Sequence, residues 1–246
     1  MRATPDRRLL VAWRQPDRLT VPIGILSRST TDGTTEYAFS YIKRAESVEG
    51  FEPLPGLRDL YTQHRSRVLF PLIANRLMSS DRPDYEEWLA QLGLEPAADI
   101  FDVLERSGGK RVTDNVEVFP FPHIDDGALT TRFFVRGIRH VDGGIEAARQ
   151  LEAGSALAWR REPTNQVNPA ALLLDRVSGR SVGYAPDYLI QTILDLQSFN
   201  GRFPETTVER VNPAAAPSNM VLATLTASCP PDYRPFDDAD YQPITG

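Results

Sequence analysis

The chain has 246 residues, a formal net charge of −6, and a hydrophobic content of 41%. These values are typical of a soluble globular protein with one large domain or two small ones, and the negative charge argues against broad, nonspecific binding of polyanions. No apolar stretch reaches the roughly 18 residues that a membrane-spanning helix needs, and no signal-peptide core follows Met1–Arg8, so we expect a cytoplasmic protein without membrane contact.

The first half of the chain predicts an α+β domain over residues 1–124. Alternation of apolar and polar residues, with turn signals between the runs, predicts four β-strands: Leu9–Trp13, Leu19–Leu26, Thr34–Tyr41 and Val116–Phe119. Apolar residues recur at helical spacing in three segments between these strands, which predicts helices near residues 68–77, 85–92 and 100–104. The stretch Pro120–Ala128 has the composition of a linker, and we place the domain boundary near residue 125.

The second half predicts a mostly β domain over residues 125–228. Short β-type runs predict six strands: Arg132–Ile138, Ser155–Arg161, Ala171–Val177, Ser181–Tyr184, Thr207–Val211 and Met220–Ala227. One helix is predicted at Asp187–Leu196. Many short strands around one or two helices indicate a small barrel. Residues 229–246 hold four aspartates against Arg234 and are interpreted as an acidic, Pro-rich tail.

The sequence contains no arrangement typical of a metal centre or a catalytic site. The lone cysteine, Cys229, cannot form an internal disulfide and is interpreted as an inert thiol, and the three histidines are too far apart for zinc-ligand spacing. The paired carboxylates at Asp81/Asp84 and Asp237/Asp238 are expected to open a helix and solvate the tail. We therefore predict a non-catalytic protein that uses no metal or cofactor, and an unrecognised hydrolase is a third possibility after the two hypotheses given below.

The stretch from Arg161 to Leu172, followed by a hairpin at Ser178–Tyr184, is the most informative part of the sequence. It resembles the HIRAN domain family, in which a strand ends in Arg-Glu/Asp-Pro and is followed by Asn, an aromatic-Asp pair, Asn-Ala and a Val-Gly-polar hairpin. Upstream, Val135–His140 resembles the first strand of that family. The resemblance spans about residues 131–200, and the matching positions are Arg161, Glu162, Pro163, Asn165, Ala171, Val182 and Gly183.

The resemblance implies an OB-like barrel that binds the 3′ end of single-stranded DNA. It implies that Arg139 contacts phosphate or a base, that His140 stacks on the terminal base, and that Tyr184 makes a further contact. The implied site also includes Arg161, Asn165 and Asn168, although the alternative is that these three only stabilise the loop. Residues 130–162 contain six arginines and four acids, so positive charge is concentrated here.

The sequence departs from the HIRAN pattern at the residues that would read the end of the strand. Val167-Asn168 stands where the family has an aromatic-Asp pair, and Ala170 stands where it has Asn. An amide oxygen still accepts a hydrogen bond from a 3′ hydroxyl, but without the assistance of a negative charge. We therefore expect a weaker or altered nucleic-acid site that rests mainly on Arg139 and its neighbours.

The first half, over about residues 8–120, is similar to the N-terminal subdomain of the HipA toxin-kinase family. The matching segments are short and apolar, among them Leu19–Leu26, Tyr37–Tyr41, Leu54–Leu57, Leu69–Leu72 and Phe101–Gly109. The motifs of the kinase portion are absent from the sequence, so this resemblance implies protein contacts, for example with a HipA-like kinase or a helix-turn-helix protein. Two hypotheses follow: a DNA-binding accessory factor in DNA metabolism, stress response or phage defence, or a non-catalytic, antitoxin-like or regulatory partner in a toxin-antitoxin pair.

Overall fold

The structure is a computed structural model that describes residues 4–16, 19–109 and 115–244. The chain divides into two compact units. The first unit comprises Met1–Ala90, Leu94–Phe121 and Phe236–Gly246, and the second comprises Gln91–Gly93 and Pro122–Pro235. The end of the chain therefore groups with the first unit in space, although it follows the second unit in sequence.

The first unit is built on a five-stranded antiparallel sheet with the order β4-β3-β2-β1-β5. Its strands are β1 (Thr4–Arg14), β2 (Thr20–Thr31), β3 (Thr34–Tyr41), β4 (His64–Ser66) and β5 (Val116–Pro120). The helices that accompany it are short: α1 (Pro71–Ala74), α2 (Tyr85–Gln91), which runs on into the second unit, and α3 (Ile100–Ser107). Two 3-10 turns lie at Lys43–Ser47 and Ala239–Tyr241.

The α+β layout predicted for the first half is not what the structure shows, because the sheet dominates and the helices are reduced to one or two turns. The helix predicted near residues 68–77 is the clearest case, since it covers only Pro71–Ala74. Proline favours the first position of a helix and cannot extend one that has begun earlier. The apolar residues before Pro71 therefore belong to a non-helical segment, in which Val68 is exposed.

Helix α3 is fixed to the sheet of the first unit by charge as well as by packing. Asp99 caps the helix by accepting a hydrogen bond from the Phe101 amide at 2.8 Å, and it accepts another from Arg28 at 2.7 Å. Partial burial works to raise the pKa of Asp99, but the hydrogen bonds from Arg28 and the Phe101 amide outweigh it and lower that pKa. Arg28 also lies over the Phe101 ring, 4.8 Å from its centroid.

The last described residues of the chain lie along the end of β3. Pro243 forms an antiparallel bridge with Ile42. The Lys43 amide donates to the Gln242 carbonyl at 3.0 Å, and the Ile244 amide donates to the Tyr41 carbonyl at 2.9 Å. These backbone contacts order the end of the segment that the composition marks as an acidic tail.

The second unit is a seven-stranded antiparallel sheet with the order β10-β9-β8-β11-β12-β7-β6. The strands are β6 (His123–Asp125), β7 (Ala128–Phe134), β8 (Ala156–Arg161), β9 (Leu172–Arg176), β10 (Ser181–Tyr184), β11 (Glu205–Val211) and β12 (Val221–Ser228). Two helices accompany them, α4 (Gly144–Arg149) and α5 (Asp187–Asn200). Trp159 is buried in the core, where its indole N–H donates to the Pro204 carbonyl and the Thr206 hydroxyl.

The mostly β character predicted for the second half is confirmed, but the sheet does not close into the predicted small, OB-like barrel. Strands β10 and β6 are the two edges of an open sheet. One isolated antiparallel bridge, between Arg136 just after β7 and Tyr184 at the end of β10, brings two distant parts of this sheet together. Continuous pairing does not extend from this bridge because Gly137, which follows it, has a left-handed backbone (φ 62°) and turns the chain away.

Candidate nucleic-acid interface

Arg139 and His140 lie on a 3-10 turn, not on a strand. The strand predicted to run to Ile138 ends at Phe134, and after Gly137 the chain forms the turn Ile138–His140. Ile138 is buried and anchors the turn, whereas Arg139 and His140 are exposed. The Arg139 Nε donates to His140 Nε2 over 3.1 Å. The turn thus presents a guanidinium and an imidazole side by side to solvent.

This turn is held beside Tyr184 by backbone hydrogen bonds. The Arg136 amide donates to the Tyr184 carbonyl at 2.9 Å, and the Tyr184 amide donates to the Arg136 carbonyl at 2.7 Å. A Cβ atom on Gly137 would lie 2.7 Å from Cδ2 of the Tyr184 ring, so the ring packs directly against the glycine backbone. His140 and Tyr184, which are 44 positions apart in sequence, are thereby kept in one region.

Tyr184 is in turn tied to the loop between β8 and β9 through a carboxylate. Its hydroxyl donates to Glu162 Oε2 at 2.9 Å, and the same oxygen accepts a hydrogen bond from the Asn165 Nδ2 at 2.6 Å. Partial burial and the hydrogen bond to Glu162 raise the pKa of the Tyr184 phenol. The phenol is therefore a neutral hydrogen-bond donor at physiological pH, and its ring is fixed at the mouth of the loop.

The two asparagines of the site organise this loop. Asn165 Oδ1 accepts hydrogen bonds from the amides of Val167 and Asn168, both at 3.0 Å, in the manner of an Asx-turn. Asn168 donates through Nδ2 to Asp187 at 3.0 Å and accepts through Oδ1 from the Ala170 amide at 2.9 Å. Both side chains thus support the loop, and the Asn168 oxygen has a second lone pair for a further donor.

Arg161 points away from this group. Side chains alternate between the two faces of a strand, and the neighbouring arginines of β8 follow that rule. Arg160 donates to Asp175 at 2.7 Å and to Ser181 at 2.9 Å, on strands β9 and β10. Arg161 instead donates to Gln197 on α5 at 2.9 Å. The structure therefore separates Arg161 from Tyr184, and the arginine nearer to Tyr184 is Arg160, which is paired with an acid.

The structure connects most of the residues that the sequence singled out. Tyr184, Asn165 and Asn168 belong to one hydrogen-bonded network, and the turn with Arg139 and His140 adjoins it through the bridge at Arg136. Glu162, at the centre of the network, was not among the predicted site residues. It matches the family pattern and so gave a signal, but its partner Tyr184 lies 22 positions further along the chain.

The surface around this network exposes a guanidinium, an imidazole and an apolar side chain. Arg139 and His140 make no ion pair with a carboxylate within the described part of the chain. Val167, on the loop, is 44% exposed. An exposed guanidinium can bind phosphate, and exposed imidazole and aliphatic groups, together with the partly buried phenol ring, can offer faces to a nucleobase.

Neither a metal-binding site nor a membrane-spanning helix is found among residues 4–16, 19–109 and 115–244. Within these ranges no group of three or more His, Cys, Asp or Glu side chains is placed to hold a metal ion. Nor does any helix in the described ranges have the length and apolar character needed to cross a membrane.

Comparison with known proteins gives two weak structural likenesses. No family model and no curated protein matches the chain. A crystal structure of a protein from Lactobacillus plantarum is 20% identical, covers 41% of this chain and 99% of its own, and has a TM-score of 0.33. The HIRAN domain of human HLTF is 18% identical, covers 43% of this chain and 84% of its own, and has a TM-score of 0.30. The similarity of the first half to HipA is not shown by these comparisons.

Proposed function

We propose that this protein binds single-stranded DNA by its exposed 3′ end and does not catalyse a reaction on it. The binding groups are the Arg139–His140 turn and the Tyr184-centred network of the second unit. The single observation that carries the proposal is the convergence of these groups: the backbone bridge between Arg136 and Tyr184 holds the turn with the Arg139 guanidinium and the His140 imidazole, which bond to each other and to no carboxylate in the described ranges, beside an ordered tyrosine. Together with the HIRAN-like sequence pattern, this chemistry favours a strand end over a duplex.

Within this proposal each group has a distinct role. Arg139 holds a backbone phosphate, because a guanidinium forms strong, charge-assisted hydrogen bonds with phosphate oxygens. His140 stacks on the last base, and Tyr184 supports the sugar or base next to it. Glu162 and Asn165 act as positioning residues, because their hydrogen bonds hold the Tyr184 side chain and the loop in place and are not directed at a ligand. Protein contacts through the first unit are a further part of the proposal.

We expect the Arg139→Ala variant to bind single-stranded DNA about tenfold more weakly than the wild type. Loss of one charge-assisted hydrogen bond costs about 1.5 kcal/mol, which corresponds to roughly that factor. The measurement is fluorescence anisotropy at low salt with a labelled strand of about 12 nucleotides that carries a 3′ hydroxyl, compared with the 3′-phosphate strand and with a blunt duplex. Arg202→Ala is the matched control, because Arg202 is also an exposed arginine of the second unit.

Two results would contradict the proposal. One is the absence of saturable binding of any single strand by the wild type below roughly 100 μM at low salt, where electrostatic attraction to phosphate is strongest. The other is an Arg139→Ala variant whose affinity is the same as that of the Arg202→Ala control.

A further inference from the structure

A second group of arginines lies in the same unit, on the hairpin between β9 and β10 and at the end of α4. Arg176 is the last residue of β9, and its amide donates to the Arg180 carbonyl across the turn at 2.8 Å. Its Nη1 donates to Gln150 Oε1 at 2.6 Å, which ties the hairpin to the residue that follows Arg149. Arg176 and Arg180 are thus paired across the hairpin turn, and Arg149 directly precedes the residue that Arg176 contacts. We call Arg149, Arg176 and Arg180 the arginine cluster.

The arginine cluster has no acidic partner among the residues that the structure describes, unlike other arginines of the unit. Arg132 pairs with Glu209 at 2.6 Å, and Arg160 pairs with Asp175 at 2.7 Å. Partial burial works against ionisation of Asp175, but the hydrogen bonds from Arg160 and Ser181 lower the pKa of its carboxyl. The negative charge of Asp175 is therefore paired with Arg160. The positive charge of the cluster is therefore open to an external anion.

The tip of the hairpin adds an apolar group to this charge. Val177 follows Arg176 and is 80% exposed, the largest exposure among the large hydrophobic residues in the described ranges. Strand β10 begins one residue after Arg180 and ends at Tyr184. At about 3.3 Å per residue, the cluster and Tyr184 are therefore about 13 Å apart along one strand.

We propose that the arginine cluster binds the phosphate backbone of the same nucleic-acid strand, inward of the end that is held near Tyr184. This inference rests on the proposed function and extends it by giving the strand a direction across the second unit. A distance of about 13 Å spans roughly two nucleotides of an extended single strand, in which neighbouring phosphates lie about twice as far apart as the 3.4 Å axial rise of a duplex strand. Val177 lies against a sugar or base edge where the strand passes over the hairpin. The ligand that fits this chemistry is a chain of repeated phosphodiester groups, because three guanidinium groups beside one small apolar side chain match a series of negative charges.

The test compares a short and a long strand. We expect Arg176→Gln/Arg180→Gln to leave the affinity for a strand of about 2 nucleotides unchanged, because it is too short to reach the cluster, and to weaken binding of a strand of about 16 nucleotides roughly tenfold. The slope of log affinity against log salt for the long strand should become shallower by about 1.4, since each lost phosphate contact on a single strand contributes about 0.7. Arg202→Gln/Arg234→Gln removes the same charge from other exposed positions of the unit and should change neither value.

The possible outcomes separate this inference from the function on which it rests. Equal affinity of the wild type for short and long strands, or an unchanged salt slope in the cluster variant, would overturn the inference and leave binding at the strand end intact. Binding of neither strand by the wild type would overturn both. Competition by polyglutamate as effective as that by DNA of the same length would also overturn the inference, because it would show a general site for acidic chains.

Discussion

Gly183→Ala is expected to destabilise the second unit by about 3 kcal/mol, at the upper end of the usual cost of overpacking. A Cβ atom at this position would lie 2.5 Å from the Arg136 carbonyl oxygen and 2.6 Å from Cγ1 of Val135. The nearest atom, the Arg136 carbonyl oxygen, belongs to the backbone and also accepts a hydrogen bond from the Tyr184 amide. The strain therefore cannot be relieved by rotating a side chain. The bridge that holds the Arg139–His140 turn beside Tyr184 must open instead.

The measurement is hydrogen exchange of the full chain, because two units need not unfold together. Faster exchange of the Arg136 and Tyr184 amides is expected, together with weaker binding of single-stranded DNA. Gly154→Ala is the control, since a Cβ there meets nothing within 4 Å and only the positive φ of 85° is unfavourable, at about 1 kcal/mol. If Gly183→Ala exchanges no faster than Gly154→Ala, the bridge does not depend on close approach at Gly183.

Tyr41→Phe is expected to destabilise the first unit by about 3 kcal/mol. The buried Tyr41 hydroxyl donates to the Leu57 carbonyl at 2.7 Å and accepts from the Leu54 amide at 2.7 Å. Phenylalanine would leave both backbone groups buried without a partner, and each such group costs about 1–3 kcal/mol. The readout is hydrogen exchange of the Leu54 amide. Tyr37→Phe serves as the control, because Tyr37 contributes to the same core through stacking on Phe101.

The same tyrosine predicts how the first unit responds to alkaline pH. Burial raises the pKa of Tyr41 from its ordinary value of 10.0 to about 12. A folded state that holds this proton more tightly than the unfolded chain is fully stabilised below pH 10, and that stabilisation is lost as the pH rises through about 12. Tyr41→Phe should reduce this pH dependence of the first unit, in which burial also raises the pKa of Tyr241. An unchanged alkaline transition in the variant would assign it to another group.

Local patterns were sufficient for most strands, because each depends on alternation within a few residues. Thr34–Tyr41 and Ser181–Tyr184 coincide with β3 and β10 as predicted. The predicted helix from Asp187 starts where α5 starts and is only shorter. The strand prediction failed after Phe134, where apolar residues continue but Gly137 adopts a left-handed backbone that ends the pattern. An apolar run does not show which glycine will turn the chain.

The candidate site was only partly accessible from the sequence for a related reason. Asn165 and Asn168 act within a short loop, where the sequence pattern marks them directly. The separation of Arg160 from Arg161 follows from strand alternation once the strand ends are known. The hydrogen bond from Tyr184 to Glu162 and the bridge from Tyr184 to Arg136 join distant segments. Such pairings depend on how strands are ordered in the sheet, and no local motif encodes that order.

Binding at the strand end can be tested by an NMR titration of the isotope-labelled full chain with a single strand of about 8 nucleotides that ends in a 3′ hydroxyl. We expect saturable shifts of amides in three segments that are separate in sequence but adjoin in the structure, namely residues 136–140, 162–168 and 184. Shifts that are absent at saturating strand, or that fall in other parts of the chain while these three segments stay unchanged, would contradict this proposal.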